Sequence, residues 1–139
     1  MAFRHNCVSC MLAFLFCIAA ESFAQAGPYR DEWHATKTEG VLLPQYCWAQ
    51  MMGVSGPPEY YFPPDCPPTT NHYCLGLLKI VRANKVVGNK ALKKELYQLA
   101  KHDTLYTLTG IMKSGPACAL REDAENTLKL IETRLKLLN

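Results

Sequence analysis

Apolar residues recur with a helical period through the second half of the chain. In residues 71–87, Cys74, Leu77, Leu78 and Val81 follow the i, i+3, i+4, i+7 spacing of one buried helical face. Residues 90–112 carry a similar stripe, formed by Leu92, Leu96, Leu99 and Tyr106. Residues 117 to about 137 carry a third, formed by Leu120, Ala124, Leu128, Ile131, Leu135 and, just beyond, Leu138. No run of strand length alternates with period 2, so the sequence predicts an all-α fold.

Glycine, asparagine and proline separate these helices. Gly88-Asn89 marks a turn after the first helix, and Ser114-Gly115-Pro116 breaks the chain before the third. Because short turns force neighbouring helices to run antiparallel, we expect a helical hairpin with a third helix packed back on it. A shorter apolar block, residues 41–52, is expected to begin a further helix at Pro44 and to end it at Gly53.

Residues 53–70 contain six prolines in three pairs and are called the proline-rich loop below. Neither a helix nor a central strand tolerates this density of proline, so a long, stiff, irregular segment is predicted. Its aromatic residues Tyr60, Tyr61 and Phe62 suggest either a lid that packs on the helices or an exposed recognition surface. The second interpretation follows because exposed aromatic side chains are enriched at protein interfaces.

The N-terminus has the organisation of a secretory signal peptide. Arg4 and His5 precede the apolar run 11–20, and Ala24-Gln25-Ala26 supplies the small residues of a cleavage site. The apolar run is far shorter than the ~20 residues needed to span a bilayer. We therefore expect cleavage of residues 1–26, which leaves residues 27–139 as a single small helical domain. Its first residues, up to about Gly40, are expected to form a polar, exposed lead-in.

Export changes the interpretation of the seven cysteines. Three leave with the signal peptide and four remain, and an even number in an oxidising compartment indicates two disulfides. Spacing alone allows three pairings. Position favours Cys47 with Cys74, because both lie on apolar helical segments and Cys74 begins the central helix on its buried side. The second pair, Cys66 with Cys118, follows by elimination.

The charge pattern gives one structural prediction and excludes one class of partner. The net charge of +3 is mild, and the basic residues are scattered among acids without interleaved aromatic residues, so nucleic acid is not expected as a partner. Asp103 is an acid on an otherwise apolar stripe, and a buried acid needs a partner. We predict that Arg82 supplies that partner across the hairpin.

The segment His72-Tyr73-Cys74 admits three interpretations. A metal site would need two more ligands, and His34, Cys47 and Cys66 are scattered without a spacing such as C-x-x-C. A cysteine nucleophile would need a free thiolate, which the even cysteine count argues against. We expect instead the disulfide-stapled start of a structural helix, with its first two residues exposed or capping. No metal or cofactor is expected.

Two segments that each contain a Tyr-Cys pair carry a resemblance. Leu-Pro-x-Tyr-Cys at 43–47 precedes His-Tyr-Cys-x-Gly-Leu at 72–77, with Arg-Ala near the end of that helix. The chain resembles a group of exported proteobacterial proteins whose helical hairpins are similar to tetratricopeptide repeats. The resemblance extends from residue 43 to about residue 135 and implies a protein-interaction module without catalytic activity. The matching residues are Leu43, Pro44, Tyr46, Cys47, His72, Tyr73, Cys74, Gly76, Leu77, Arg82, Ala83 and Asp103.

The function expected from these features is that of an exported, disulfide-stapled adaptor or accessory subunit of a larger complex, either periplasmic or secreted. Its partners are then proteins, and it associates with a membrane only through that complex. A small secreted protein that holds a ligand or metal between its helices and loop is the alternative, and an enzyme comes third. Mass spectrometry separates these cases, because two disulfides without metal favour the adaptor.

Overall fold

The computed structural model describes residues 33–114 and 117–139, so the expected signal peptide and the first part of the lead-in lie outside the described residues. Within these ranges the chain forms helices and short 3₁₀ turns and contains no strand, which confirms the all-α prediction. The α-helices are α1 (Lys37–Gly40), α2 (Trp48–Met52), α3 (Asn71–Lys85), α4 (Lys90–Ser114) and α5 (Arg121–Leu137). The 3₁₀ turns are Gln45–Cys47, Pro58–Tyr60 and Pro68–Thr70.

Helices α3 and α4 form the predicted antiparallel hairpin. Gly88 turns the chain between them with φ of 75°, a conformation that favours glycine. The two helices approach closely at Gly76, where an added Cβ would lie 3.2 Å from the Ala100 carbonyl oxygen and 3.2 Å from Thr104 Oγ1. The missing side chain at this position therefore sets the separation of the two helices.

Replacing Gly76 with leucine is expected to destabilise the protein by about 3 kcal/mol, because a large side chain would force two packed helices apart. Thermal or denaturant unfolding measures the effect. A matched control is Ala91→Leu on the exposed side of α4, which should change stability by no more than about 0.5 kcal/mol. Equal stabilities of the two variants would show that α3 and α4 are not held at this distance.

Helix α5 packs on α4 and runs in the same direction as α3. Near the starts of α3 and α5 the Tyr73 hydroxyl lies 2.8 Å from Thr127 Oγ1. Near their ends Asn84 and Leu138 line one small hollow. The helix order is therefore hairpin plus third helix, as predicted, with α3 and α5 on the same side of α4.

Two clusters of the core, among the residues that the structure describes, each include one of the disulfides. The first contains Leu43, Cys47, Met51, Cys74, Leu75 and Leu78. The second contains Tyr73, Leu108, Ile111, Cys118, Leu120 and Ala124, with Cys66 packed against it. Tyr46, Phe62 and Leu77 pack against both clusters and so join them.

The described part of the lead-in differs from the exposed segment expected there. Thr36 and Glu39 form a capping box: the Thr36 hydroxyl accepts from the Glu39 N–H, and the Glu39 carboxylate accepts from the Thr36 N–H at 2.9 Å. This cap begins α1, and Glu39 is buried. The Thr-x-x-Glu spacing that would have indicated this helix is present in the sequence.

The predicted buried stripe of α4 is partly wrong. Leu99 and Tyr106 are exposed, whereas Thr104 and Thr107 are fully buried. The buried face is wide because α4 contacts both α3 and α5. The Thr104 hydroxyl donates to the Ala100 carbonyl at 2.8 Å, so a small polar side chain is buried without an unsatisfied hydroxyl.

Candidate functional site

The Cys47–Cys74 disulfide has the pairing expected from the sequence, with a Cα–Cα distance of 5.6 Å. Both cysteines are fully buried in the first core cluster. The bond holds the segment that contains Tyr46 against the first turn of α3. The start of α3 is therefore stapled, as expected, and the position of the Tyr46 ring is fixed relative to that helix.

The second expected disulfide, Cys66–Cys118, ties the proline-rich loop to the segment before α5, with a Cα–Cα distance of 4.4 Å. A neighbouring hydrogen bond supports it: the Ala119 N–H donates to Asp65 Oδ2 at 3.2 Å. The loop is otherwise irregular, as predicted, apart from its two short 3₁₀ turns. A long loop fixed in this way presents its side chains on a defined surface.

The three aromatic residues of the proline-rich loop divide between the two roles considered for them. Phe62 is partly buried and packs against both core clusters. Tyr60 lies edge-on to Trp48, with ring centroids 5.0 Å apart. Tyr61 remains 49% exposed. The loop is thus a lid through Phe62 and Tyr60, and it displays Tyr61 to solvent.

Two adjoining hollows lie along this loop and the neighbouring helices. The first, of about 480 Å³, lies between Tyr46 and the loop residues Pro58, Tyr61 and Phe62. The second, of about 380 Å³, lies between α3 and α5, with Tyr73, Leu77, Thr127 and Leu130 among its lining residues. Tyr46 lines both hollows, so they adjoin at this residue. We call this combined surface the aromatic groove.

The two tyrosines at the centre of the aromatic groove remain protonated at neutral pH. Burial raises the pKa of Tyr46 well above its usual value, and the nearby Tyr73 and Asp123 raise it further. Burial also raises the pKa of Tyr73, against the lowering effect of its hydrogen bond with Thr127. The expectation that Tyr73 would be exposed or capping is wrong, because it is 2% exposed and its hydroxyl reaches across to α5.

The rim of the aromatic groove is acidic. Glu59 lines the first hollow and Asp123 lines the second, and both side chains are exposed. Among the residues that the structure describes, no lysine, arginine or histidine lines either hollow. The groove therefore combines apolar walls with two solvent-exposed carboxylates.

The predicted ion pair between Arg82 and Asp103 is wrong, although both side chains are buried. Asp103 pairs instead with Lys79, whose Nζ lies 2.6 Å from Asp103 Oδ2. The register of the hairpin explains the difference. Asp103 lies opposite Gly76. Lys79 follows Gly76 by about one helical turn, whereas Arg82 lies about 9 Å from Gly76 along the helix axis.

Arg82 pairs with Glu39 of α1. Its Nε donates to Glu39 Oε1 at 3.1 Å, and its Nη2 donates to the His34 carbonyl at 2.9 Å. Both charged side chains are about 5% exposed. This pair fastens the described part of the lead-in to α3, and sequence reasoning missed it because α1 was not expected.

His72 lies on the other side of α3 from the aromatic groove. Its Nδ1 is 3.3 Å from Asp103 Oδ1, and its ring lies against Tyr106, with centroids 4.4 Å apart. Trp33 contacts the same ring edge-on, at a centroid distance of 6.4 Å. His72 is therefore held by Asp103 and aromatic neighbours at the edge between α3 and α4.

All four cysteines of residues 33–139 are oxidised, so none of them is available as a thiolate nucleophile or metal ligand. Within residues 33–114 and 117–139, no three His, Cys, Asp or Glu side chains converge on a point where they would hold a metal ion. His34 and His72 are thus not joined to Cys47 or Cys66 in a common site. The structure therefore brings these cysteines together only as disulfide pairs. Of the three loop aromatic residues, Tyr61 is the one whose side chain is exposed to solvent.

The two disulfides indicate an oxidising, extracytoplasmic environment. In the described part of the chain, no helix is both long and apolar enough to cross a membrane. Comparisons with known proteins find no matching family model, no matching curated protein and no matching solved structure.

Proposed function

We propose that this protein is an exported adaptor or accessory subunit that binds another protein and so contributes to a larger complex. The observation that carries the proposal is the aromatic groove, in which Tyr61 stays half-exposed on a loop fixed by the Cys66–Cys118 disulfide. Exposed aromatic side chains on a pre-ordered surface favour binding, because little conformational freedom is lost when the partner docks.

The arrangement of the helices supports the same function. An antiparallel hairpin followed by a helix parallel to its first member is the order in which tetratricopeptide-like arrays are built, and such arrays bind partners on extended surfaces. The second hollow of the aromatic groove lies between the two parallel helices, α3 and α5. We place the protein in the periplasm or outside the cell, with any membrane association mediated by its partner.

Site-specific photo-crosslinking in the cells that produce the protein tests this function. With p-benzoylphenylalanine in place of Tyr61, irradiation is expected to give an adduct of discrete mass that contains a second protein. The matched control is the same replacement at Tyr106, which is 47% exposed, close to the 49% of Tyr61, but lies at the α3–α4 edge. Absence of an adduct from Tyr61 in correctly exported protein, or equal adducts from both positions, would contradict binding at the groove.

A further inference from the structure

The charge of the aromatic groove is opposite in sign to that of the chain. The whole sequence carries a net charge of +3, yet the charged side chains that line the groove within the described residues are the carboxylates of Glu59 and Asp123. Neither Glu59 nor Asp123 takes part in an ion pair among the described residues. Two carboxylates without an ion-pair partner along one groove favour a positively charged partner, because opposite charges speed the encounter and select against acidic chains.

The walls of the groove are suited to an extended chain with proline rings. Tyr61, Phe62 and Tyr46 present rings beside Pro58, and the tilted Tyr46 and Phe62 rings have centroids 6.1 Å apart. Grooves lined by aromatic residues bind polyproline II segments, because such a segment is already ordered and presents flat apolar rings. Its carbonyl groups make no internal hydrogen bonds, and the exposed side-chain amide of Gln45 at the groove supplies a donor for them.

We propose that the aromatic groove binds an extended, proline-rich segment of the partner protein that also carries arginine or lysine. The proline rings pack on Tyr46 and Tyr61, and the basic side chain lies beside Glu59 or Asp123. This inference rests on the proposed function and adds the chemistry of the partner. Prolines supply the apolar contact, and the basic residue distinguishes this partner from neutral proline-rich chains.

The test uses the full exported protein with both disulfides intact and a phage-displayed library of random peptides about a dozen residues long, a length that spans about 37 Å as polyproline II. Selection is expected to enrich peptides that combine two or more prolines with arginine or lysine. Enrichment of acidic peptides, of helical amphipathic peptides without proline, or of nothing above the background of an unrelated disulfide-bonded protein would overturn the inference.

Variants then locate the binding of the best selected peptide. Tyr61→Ala is expected to weaken its affinity about tenfold, and Glu59→Gln with Asp123→Asn about fivefold, with a reduced dependence on salt. Tyr106→Ala, a tyrosine of similar exposure away from the groove, should leave the affinity unchanged. Equal losses for Tyr61→Ala and Tyr106→Ala, or no loss for either, would contradict binding in the groove.

The outcome of this test is separable from that of the crosslinking experiment. A protein adduct at Tyr61 together with selected peptides that lack proline or basic residues would retain the adaptor function and reject the proposed partner chemistry. Selection of basic proline-rich peptides without any cellular adduct would support the groove chemistry and reject the adaptor function.

Discussion

Replacing both Cys47 and Cys74 with alanine is expected to lower the free energy of unfolding by about 3.5 kcal/mol. The disulfide closes a loop with a sequence separation of 27 residues, and the loss of chain entropy in the unfolded state accounts for a stabilisation of this size. Both sulfur atoms also lie in a fully buried core, so their removal leaves space that the surrounding side chains fill only in part. Denaturant unfolding monitored by circular dichroism measures the change.

The double variant Cys66→Ala, Cys118→Ala provides the comparison. The Cys66–Cys118 disulfide has a sequence separation of 52 residues, for which the same loss of chain entropy gives a stabilisation of about 4 kcal/mol. Removing this bond should, however, change the native state differently. We expect its helices to be retained while Tyr61 loses its fixed position and the groove loses affinity for peptides. A Cys47, Cys74 double variant as stable as the unmodified protein would show that this bond does not hold the first core cluster together.

Arg82→Met is expected to destabilise the protein by about 3–5 kcal/mol, because it leaves the carboxylate of Glu39 buried without its partner. The double variant Arg82→Met, Glu39→Gln removes that charge and should recover part of the loss. Thermal unfolding of the single and double variants at neutral pH measures both effects. If the single variant loses less than about 1 kcal/mol, the pair does not fasten the lead-in to α3.

The same pair makes stability depend on pH in a defined direction. Burial tends to raise the pKa of Glu39, but the hydrogen bond from Arg82 and the contacts with Thr36 outweigh it and hold that pKa below its usual value of 4.5. A carboxyl whose pKa is lowered in the folded state stabilises the protein above its unfolded pKa, and the contribution is lost as pH falls through the folded pKa. The fall in stability below about pH 4.5 should therefore be smaller in Glu39→Gln than in the unmodified protein.

The pattern of apolar residues was sufficient to predict the three long helices. Their stripes follow the helical period, and the first two helices are followed by the local breaks Gly88 and Gly115-Pro116. The expected disulfides, Cys47 with Cys74 and Cys66 with Cys118, are the ones that the structure contains. That pairing could be predicted because an apolar helical segment has to pack, and a proline-rich loop needs an attachment.

Tertiary packing decided the partners of the charged residues. Asp103 was correctly expected to need an ion partner, but the register of α3 against α4 places Lys79 there, and α1 brings Glu39 to Arg82. Register depends on the close approach at Gly76, a contact between residues far apart in sequence that no local pattern encodes. For the same reason the exposed and buried sides of α4 were assigned in part to the wrong residues.

The aromatic groove shows the same division between sequence and tertiary structure. The sequence by itself determined that Tyr60, Tyr61 and Phe62 lie on a stiff loop, because paired prolines exclude regular structure there. Only the tertiary structure decided that Phe62 turns inward, that Tyr61 stays exposed and that Tyr46 and Asp123 lie along the same groove. The physical reason is that local propensity fixes the conformation of a segment, whereas the direction of each side chain depends on which surface the disulfides bring against it.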